Sequence, residues 1–428
     1  MTELTNILEP EDLALPQQKG TVPLLSLVTM PFILGVVAVS PLDNWNIVVK
    51  ILGSLLAIAF FVRSLSSSLR LSTEFFLYMS WVIWTLTGVV VARSQVVFWT
   101  ILLTIVQITI MMFIIVGATY LRKTLTMNLL AFLAGTAVVA IYSLVTGEYD
   151  RPEEQLGGRV AGLALNANAF GFLMVCATIV LAYLWMLPYR HAWLWRLPLA
   201  AAMVGAAIPT VLSGSRDALL SLLVFYFFWF FFCYRSVAFR PKVFAAVVLA
   251  VIAGAIVFLH VFVGSVAQDR IESAITIFRG GGGNEGSLFL RFHFYWEALA
   301  MLAASPVIGV GLAQFMFHSG ESLVAHSEYA EIFADTGVVG GLLYFSIFVV
   351  LWIRAGKIAK YTDDLSQFRI ARLVRAILVV IVVSDVGRWN YNDKITWVIF
   401  ASFIGYTNAV WQELSQRLRA GQVGQLKF

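Results

Sequence analysis

Apolar runs of about 20 residues recur along nearly the whole chain, and each is long enough to cross a bilayer as an α-helix. About twelve spans near that length can be read, at 22–40, 45–62, 74–92, 96–119, 125–145, 168–187, 197–212, 216–233, 243–263, 338–352, 373–386 and 395–411, of which 338–352 and 373–386 are short. Charged residues make up only 12% of the chain and the mean hydropathy is +0.86. A soluble domain carries about twice that share of charge. A transmembrane β-barrel would need two-residue alternation, which the runs lack. The expected fold class is an all-α polytopic membrane protein with about 12 transmembrane helices.

The loops orient these spans. With the N-terminus inside, most of the 29 basic residues fall on the inner side, including Arg122, Lys123, Arg196, Arg354, Lys357, Arg369, Arg372 and Arg375. Such a bias marks the cytoplasmic face and predicts an N-in, C-in topology. It also accounts for the net charge of +5 without nucleic acid as a partner. The expected order is a cytoplasmic tail (1–21), nine spans (22–263) with an outer loop near 147–165, a large outer loop between helices 9 and 10 (264–337), three more spans (338–411) and a basic cytoplasmic tail (412–428). The first residues are acidic and polar, unlike the basic start of a cleavable signal. Cys176 and Cys233 lie within apolar runs and read as small buried hydrophobes.

Ionisable groups collect at 291–340, within the large outer loop: Arg291, His293, His318, His326, Glu321, Glu328, Glu331 and Asp335. Long connections carry function more often than short ones. The tract at 280–283 is a flexible hinge rather than a phosphate cradle, because no Gly-Lys-Ser/Thr ending follows it. The stretch 298–304 is apolar, and Pro306, Gly309 and Gly311 end that run.

Arginine on the outer side opposes the charge bias and needs compensation. Arg216 opens a span in VLSGSRDALLSLLVFYFF, where a guanidinium suits a planar anion such as a phosphate. The alternatives are an ion pair with Asp217 or a lipid headgroup. Arg159 and Arg291 stand just before apolar runs in outer loops, and three arginines flanking one surface would suit a diphosphate. His326, in LVAHSEYAEIFADTGVVGG, is a candidate base, since a neutral imidazole accepts a proton from a hydroxyl. Glu328 or Glu331 would orient it or bind sugar hydroxyls. A metal is the rival reading, because His293 and Glu297 are four residues apart. With no His-Glu-x-x-His pattern and no cysteine partners, no metal and no cofactor are expected. The turn RWNYNDK at 388–394 is read as a plain outer loop.

Four stretches together resemble the superfamily of O-antigen ligases and O-antigen polymerases, membrane glycosyltransferases of bacteria. SGSRDALLSLL is similar to its Ser-Arg-small-Leu-Leu motif and carries Arg216. RFHFYWEALAMLAASPVIGVGLAQF is similar to its Arg…Trp…Pro-x-x-Gly-x-Gly segment and carries Arg291. AHSEYAEIFADTGVVGGLLYF is similar to its His-Asn/Ser-x-Tyr-x-Glu…Gly-x-x-Gly segment and carries His326 and Glu331. RVAGLALNANAFGFLM is similar to its Arg-x-x-Gly…Asn segment and carries Arg159 and Asn168. The likeness spans about 159–348, and Ser327 departs from the asparagine frequent there.

The resemblance implies a metal-independent enzyme of the bacterial inner membrane whose active face is periplasmic. Its donor would be a glycan on undecaprenyl diphosphate, and its acceptor a glycan or a lipid-linked glycan. His326 would be the general base. Arg216 and Arg291, with Arg159, would hold the diphosphate, and Glu328, Glu331 and Asn168 would serve the acceptor or orient the base. Ligase and polymerase both fit. A transporter of bicarbonate or of a lipid-linked sugar is the alternative, and it predicts ionisable groups and broken helices near mid-membrane.

Overall fold

The computed structural model describes residues 24–39, 46–66, 71–146, 166–188, 192–234, 286–320 and 323–421. Among them the regular elements are helices, with no strand. Eight helices precede residue 235: α1 (Leu24–Ala38), α2 (Asn46–Ser66), α3 (Thr73–Thr85, running on as a 3₁₀ turn Leu86–Val90), α4 (Gln95–Ala118), α5 (Arg122–Thr146), α6 (Ala167–Met186), α7 (Ala192–Leu212) and α8 (Arg216–Tyr234). After residue 285 come α9 (Gly286–Ala304), the single turn α10 (Phe315–His318), α11 (Glu328–Tyr361), α12 (Leu365–Ser384) and α13 (Lys394–Arg419). Short polar side chains start several of them. Ser72 accepts from the Phe75 amide at 3.1 Å, Asn166 from Asn168 at 2.7 Å and Asp364 from Ser366 at 2.6 Å. Each satisfies an amide that has no partner within its helix.

Among the described residues, seven helices are long and apolar enough to cross a membrane: Thr73–Val90, Gln95–Ala118, Arg122–Ser143, Ala167–Met186, Leu194–Leu212, Arg216–Cys233 and Glu328–Tyr361. Leu27–Ala38 and Val49–Val62 are apolar but shorter. The expected span 373–386 overlaps α12, which ends at Ser384, and 395–411 lies inside α13; the helices include Arg369, Arg372 and Arg375 in the one and Glu413, Arg417 and Arg419 in the other. The expected span 243–263 lies outside the described residues, as does the hinge tract 280–283. The segment 328–336, expected within a loop, is helical and continues into the span across a break at Gly337.

Burial ranks the helices. α6 is apolar all round, and 89% of its span is buried, so it runs through the middle of the bundle. Leu194–Leu212 and Arg216–Cys233 are only 17% and 28% buried and turn most of their apolar surface outward. Around α6, α12 packs on α8, α11 on α3 and α12, α13 on α4, and α1 on α5. The Nη1 of Arg354 sits 2.5 Å from Glu74 Oε2, both side chains being buried, and the pair ties α11 to α3. Arg354 was expected in an inner loop. It lies instead within α11, where its buried charge is neutralised by that partner.

The two groups of loop residues separate to opposite ends. α4 has 24 residues, a length of about 36 Å. Before it, the Nη1 of Arg93 donates to the Phe317 carbonyl at 2.7 Å. Beyond its far end, the Nη1 of Arg122 donates to Ser366 at 3.0 Å. Near that second end the Cys233 thiol meets the Arg369 carbonyl at 3.9 Å, and the Lys357 ammonium lies 5.4 Å from the Trp411 ring centre.

Candidate active site

The site end is organised by the break in α11. Gly337 has φ 69° and ψ −174°, a conformation open essentially to glycine alone. The segment 306–311 docks into this break. The Val338 amide donates to the Pro306 carbonyl at 2.8 Å, the Val310 amide to Ala334 at 2.9 Å and the Gly311 amide to Asp335 at 2.9 Å. The Trp84 indole donates to the Thr336 carbonyl at 3.0 Å. Three successive carbonyls ahead of the break thus keep partners, as buried backbone requires. Gly309 (φ 70°) allows the close approach: a Cβ there would lie 2.4 Å from the Asp335 carbonyl carbon. The buried Asp335 carboxylate accepts from the amides of Ala313 (2.7 Å), Gln314 (3.2 Å) and Phe315 (3.0 Å), fixing the turn α10. The sequence read Pro306, Gly309 and Gly311 as a helix stop; in the structure they form the clasp on α11.

His326 lies two residues before α11. Its backbone is left-handed (φ 51°) and its side chain is exposed. A non-glycine residue there needs support from its surroundings. Glu331, buried one turn into α11, supplies it. Its Oε1 accepts from the Ala325 amide at 2.8 Å, and its carboxylate also takes the His326 amide. Glu331 therefore works beneath the imidazole, on the backbone that carries it. Glu328 is buried as well and holds the next layer. Its carboxylate accepts from the Tyr344 hydroxyl and from the amides of Asn390 (2.5 Å) and Tyr391 (3.2 Å). Both carboxylates occupy the first turn of α11, where the helix dipole favours negative charge.

Of the other two histidines of this segment, His293 is paired, while the buried Nε2 of His318 meets no hydrogen-bond partner among the described residues. His293 pairs with Glu297 at 3.4 Å, and Glu297 also accepts from the Gly320 amide at 3.1 Å. Burial, and then the Arg93 guanidinium, hold the His318 pKa below its ordinary value of 6.5, so His318 is neutral at pH 7.

Three consecutive residues at the C-terminal end of α12 bring the site together. The Ser384 hydroxyl donates to Asp217 at 3.2 Å, next to Arg216 at the start of α8. The Asp385 carbonyl accepts from Ser327 at 3.3 Å, next to His326. The Val386 carbonyl accepts from the Tyr295 hydroxyl at 3.1 Å, one helical turn after Arg291 on α9. The Tyr295 and Ser327 hydroxyls also meet at 2.7 Å. Ser327 thus spends its hydroxyl on α9 and the 384–386 turn and makes no cap bond of its own to α11.

The elements bearing Arg216, Arg291 and His326 are in this way tied to one turn at one end of the bundle. Asn168 lies exposed in the first turn of α6, one turn before Phe172, whose ring receives the Arg388 guanidinium at 4.3 Å. Arg388 also pairs with Asp393 at 2.8 Å, and its carbonyl accepts from the Glu328 amide at 3.0 Å. The turn at 388–394, read as a plain loop, is a scaffold for Glu328. Arg159 lies outside the described residues. Sequence reading missed Tyr295 and Asp385. The only local signal for Tyr295 is its position four residues after Arg291.

Residues 201–345 match the family model described as O-antigen ligase, a stretch that contains Arg216, Arg291 and His326. The match bears out the likeness to the superfamily of O-antigen ligases and polymerases. No curated protein matches the chain.

Proposed function

We propose that this chain, a membrane protein of the O-antigen ligase and polymerase superfamily, transfers a glycan from a polyprenyl-diphosphate carrier to an acceptor hydroxyl at the outer face of the bacterial inner membrane. The observation that carries the reading is the turn 384–386, which holds the Arg216, Arg291 and His326 elements at one end of the bundle. Arginine recognises phosphate oxygens through its planar fork of donors. A pyrophosphate at this end would be gripped by Arg216 and Arg291, with Arg159 reaching it from the preceding outer loop. The exposed imidazole of His326 takes the proton of the acceptor hydroxyl. The freed oxygen attacks the anomeric carbon, a new glycosidic bond forms, and the bond from that carbon to the diphosphate oxygen breaks. The arginines stabilise the charge that develops on the departing diphosphate, the kind of preorganised electrostatic help that contributes most to such reactions. The diphosphate linkage is already activated, so no nucleotide is needed.

A transporter predicts an open helix break lined for substrate near mid-membrane. Here the break at Gly337 is closed by backbone bonds to 306–311, which favours transfer over transport.

The test is the full-length protein in nanodiscs with an undecaprenyl-diphosphate glycan, alone and with a lipid-linked acceptor. Wild type is expected to give a product that needs both substrates. Arg216→Ala is expected to insert normally and to lose at least about 100-fold in kcat/KM, the scale of removing a charge-stabilising donor. Wild-type kinetics in the variant would remove Arg216 from the site. Movement of the donor across the bilayer without a new glycosidic bond would favour transport.

A further inference from the structure

Among the described residues, nothing covers one apolar face of α9. Phe292, Trp296, Leu299 and Ala303 are exposed, Trp296 at 72%. Their spacing of four, three and four residues aligns them on one stripe of the helix. The opposite face is spent: Phe294, Ala298 and Met301 pack with Phe315, Ala325, Ala330 and Ala334 in a small cluster separate from the main core. His293 and Glu297 flank the stripe on one side. At 100° per residue, Arg291 and Tyr295 take the register positions on the other side. With these polar residues in its first half, α9 is not among the described helices apolar enough to cross a membrane.

The stripe also has a continuation. Val307, exposed, follows α9, and its carbonyl is the group that a Cβ at Gly337 would strike. The next residue in space is Val338, whose amide bonds to Pro306. Val338, Leu342 and Val349 form the exposed apolar stripe of α11, a helix long and apolar enough to cross a membrane, where such a stripe would face hydrocarbon. One apolar surface therefore runs from the lipid-facing side of α11, across the clasp at 306–307, onto α9.

We propose that α9 is an interfacial helix, its Phe292–Trp296–Leu299–Ala303 stripe seated at the acyl edge of the leaflet that α11 enters. An amphipathic helix with a central Trp and polar flanks is suited to that depth. The occupant is bilayer lipid, named by the continuity with α11. The consequence is a fixed depth for the site: Arg291 stands on a flank of this helix at headgroup level, and the Tyr295–Ser327 contact sets the His326 loop beside it. The inference does not depend on the transfer reaction.

The experiment uses the full-length protein with Cys176→Ala and Cys233→Ala, in nanodiscs of phosphatidylethanolamine and phosphatidylglycerol, with single nitroxides at positions 293, 296 or 299. Power saturation is read with oxygen, which concentrates in hydrocarbon, and with a water-soluble nickel chelate. Oxygen is expected to dominate at 296 and 299, and nickel at 293. Nickel dominance at 296 would overturn the proposal. So would shielding of 296 from both reagents with dipolar broadening, which would mark a second copy. Should labelled variants fail to fold, wild-type protein is irradiated with a diazirine phospholipid. Adducts are expected on the 292–303 stretch as well as on 338–349, and adducts confined to 338–349 would contradict it.

Discussion

Replacing Gly337 with alanine is expected to unfold the site end of the bundle and abolish transfer. At φ 69°, ψ −174° a side chain is strained by about 1–3 kcal/mol before any contact is considered. The added Cβ would also lie 2.2 Å from the Val307 carbonyl oxygen and 2.8 Å from the Ile308 amide nitrogen. Neither group yields cheaply, because both neighbours belong to the clasp bonded to Ala334, Asp335 and Val338. Strain and clash together should cost about 3 kcal/mol or more, a large share of the ~5–15 kcal/mol that holds a typical protein folded. Gly205, with open space around it, is the matched control, and Gly205→Ala should behave as wild type. Thermal unfolding in detergent of the two variants beside wild type decides the matter. Equal midpoints for Gly337→Ala and wild type would mean that the break is not the strained hinge described here.

Glu331→Ala is the second change with a large expected effect, and it should act on rate more than on binding. The variant removes the acceptor of two buried amides, at about 1–3 kcal/mol for each group left without a partner. It also removes the carboxylate that takes the His326 amide, loosening a left-handed backbone. A shift of about 1 Å in a catalytic group can cost about 100-fold in rate. In the nanodisc assay kcat should therefore fall by about that factor, with KM for the donor nearly unchanged, because Arg216 and Arg291 lie on other helices. Glu331→Gln keeps one oxygen acceptor and should recover part of the loss. A purely structural role would lower the amount of folded protein and leave kcat per folded molecule intact; that outcome would detach Glu331 from the base.

The split between what sequence reveals and what it hides follows sequence distance. Helix positions were legible because apolar runs act within a few residues. Arg93 and Arg122 flank one apolar run in the sequence, and they lie at opposite ends of α4. Hydropathy misjudged α12 and α13, where polar ends share a helix with apolar middles, and it placed Arg354 in a loop because Glu74 is 280 positions away. The joining of Asp217 to Ser384, Ser327 to Asp385 and Tyr295 to Val386 spans 167, 58 and 91 positions. No local pattern reports such pairs. Tyr295 therefore looked like one more aromatic residue, and the 388–394 turn looked like a connector. The clasp was half visible: its proline and glycines marked a stop, while their docking into a break one helix later was not encoded nearby.

The most direct measurement compares His326→Ala with wild type in the reconstituted transfer of an undecaprenyl-diphosphate glycan to its acceptor. Because the imidazole is exposed and its loop is held from below by Glu331, the variant should insert and unfold as wild type does. Transfer should slow by about 100- to 10,000-fold, the range for losing a general base. Product formed at the wild-type rate by a properly inserted His326→Ala protein would contradict the account.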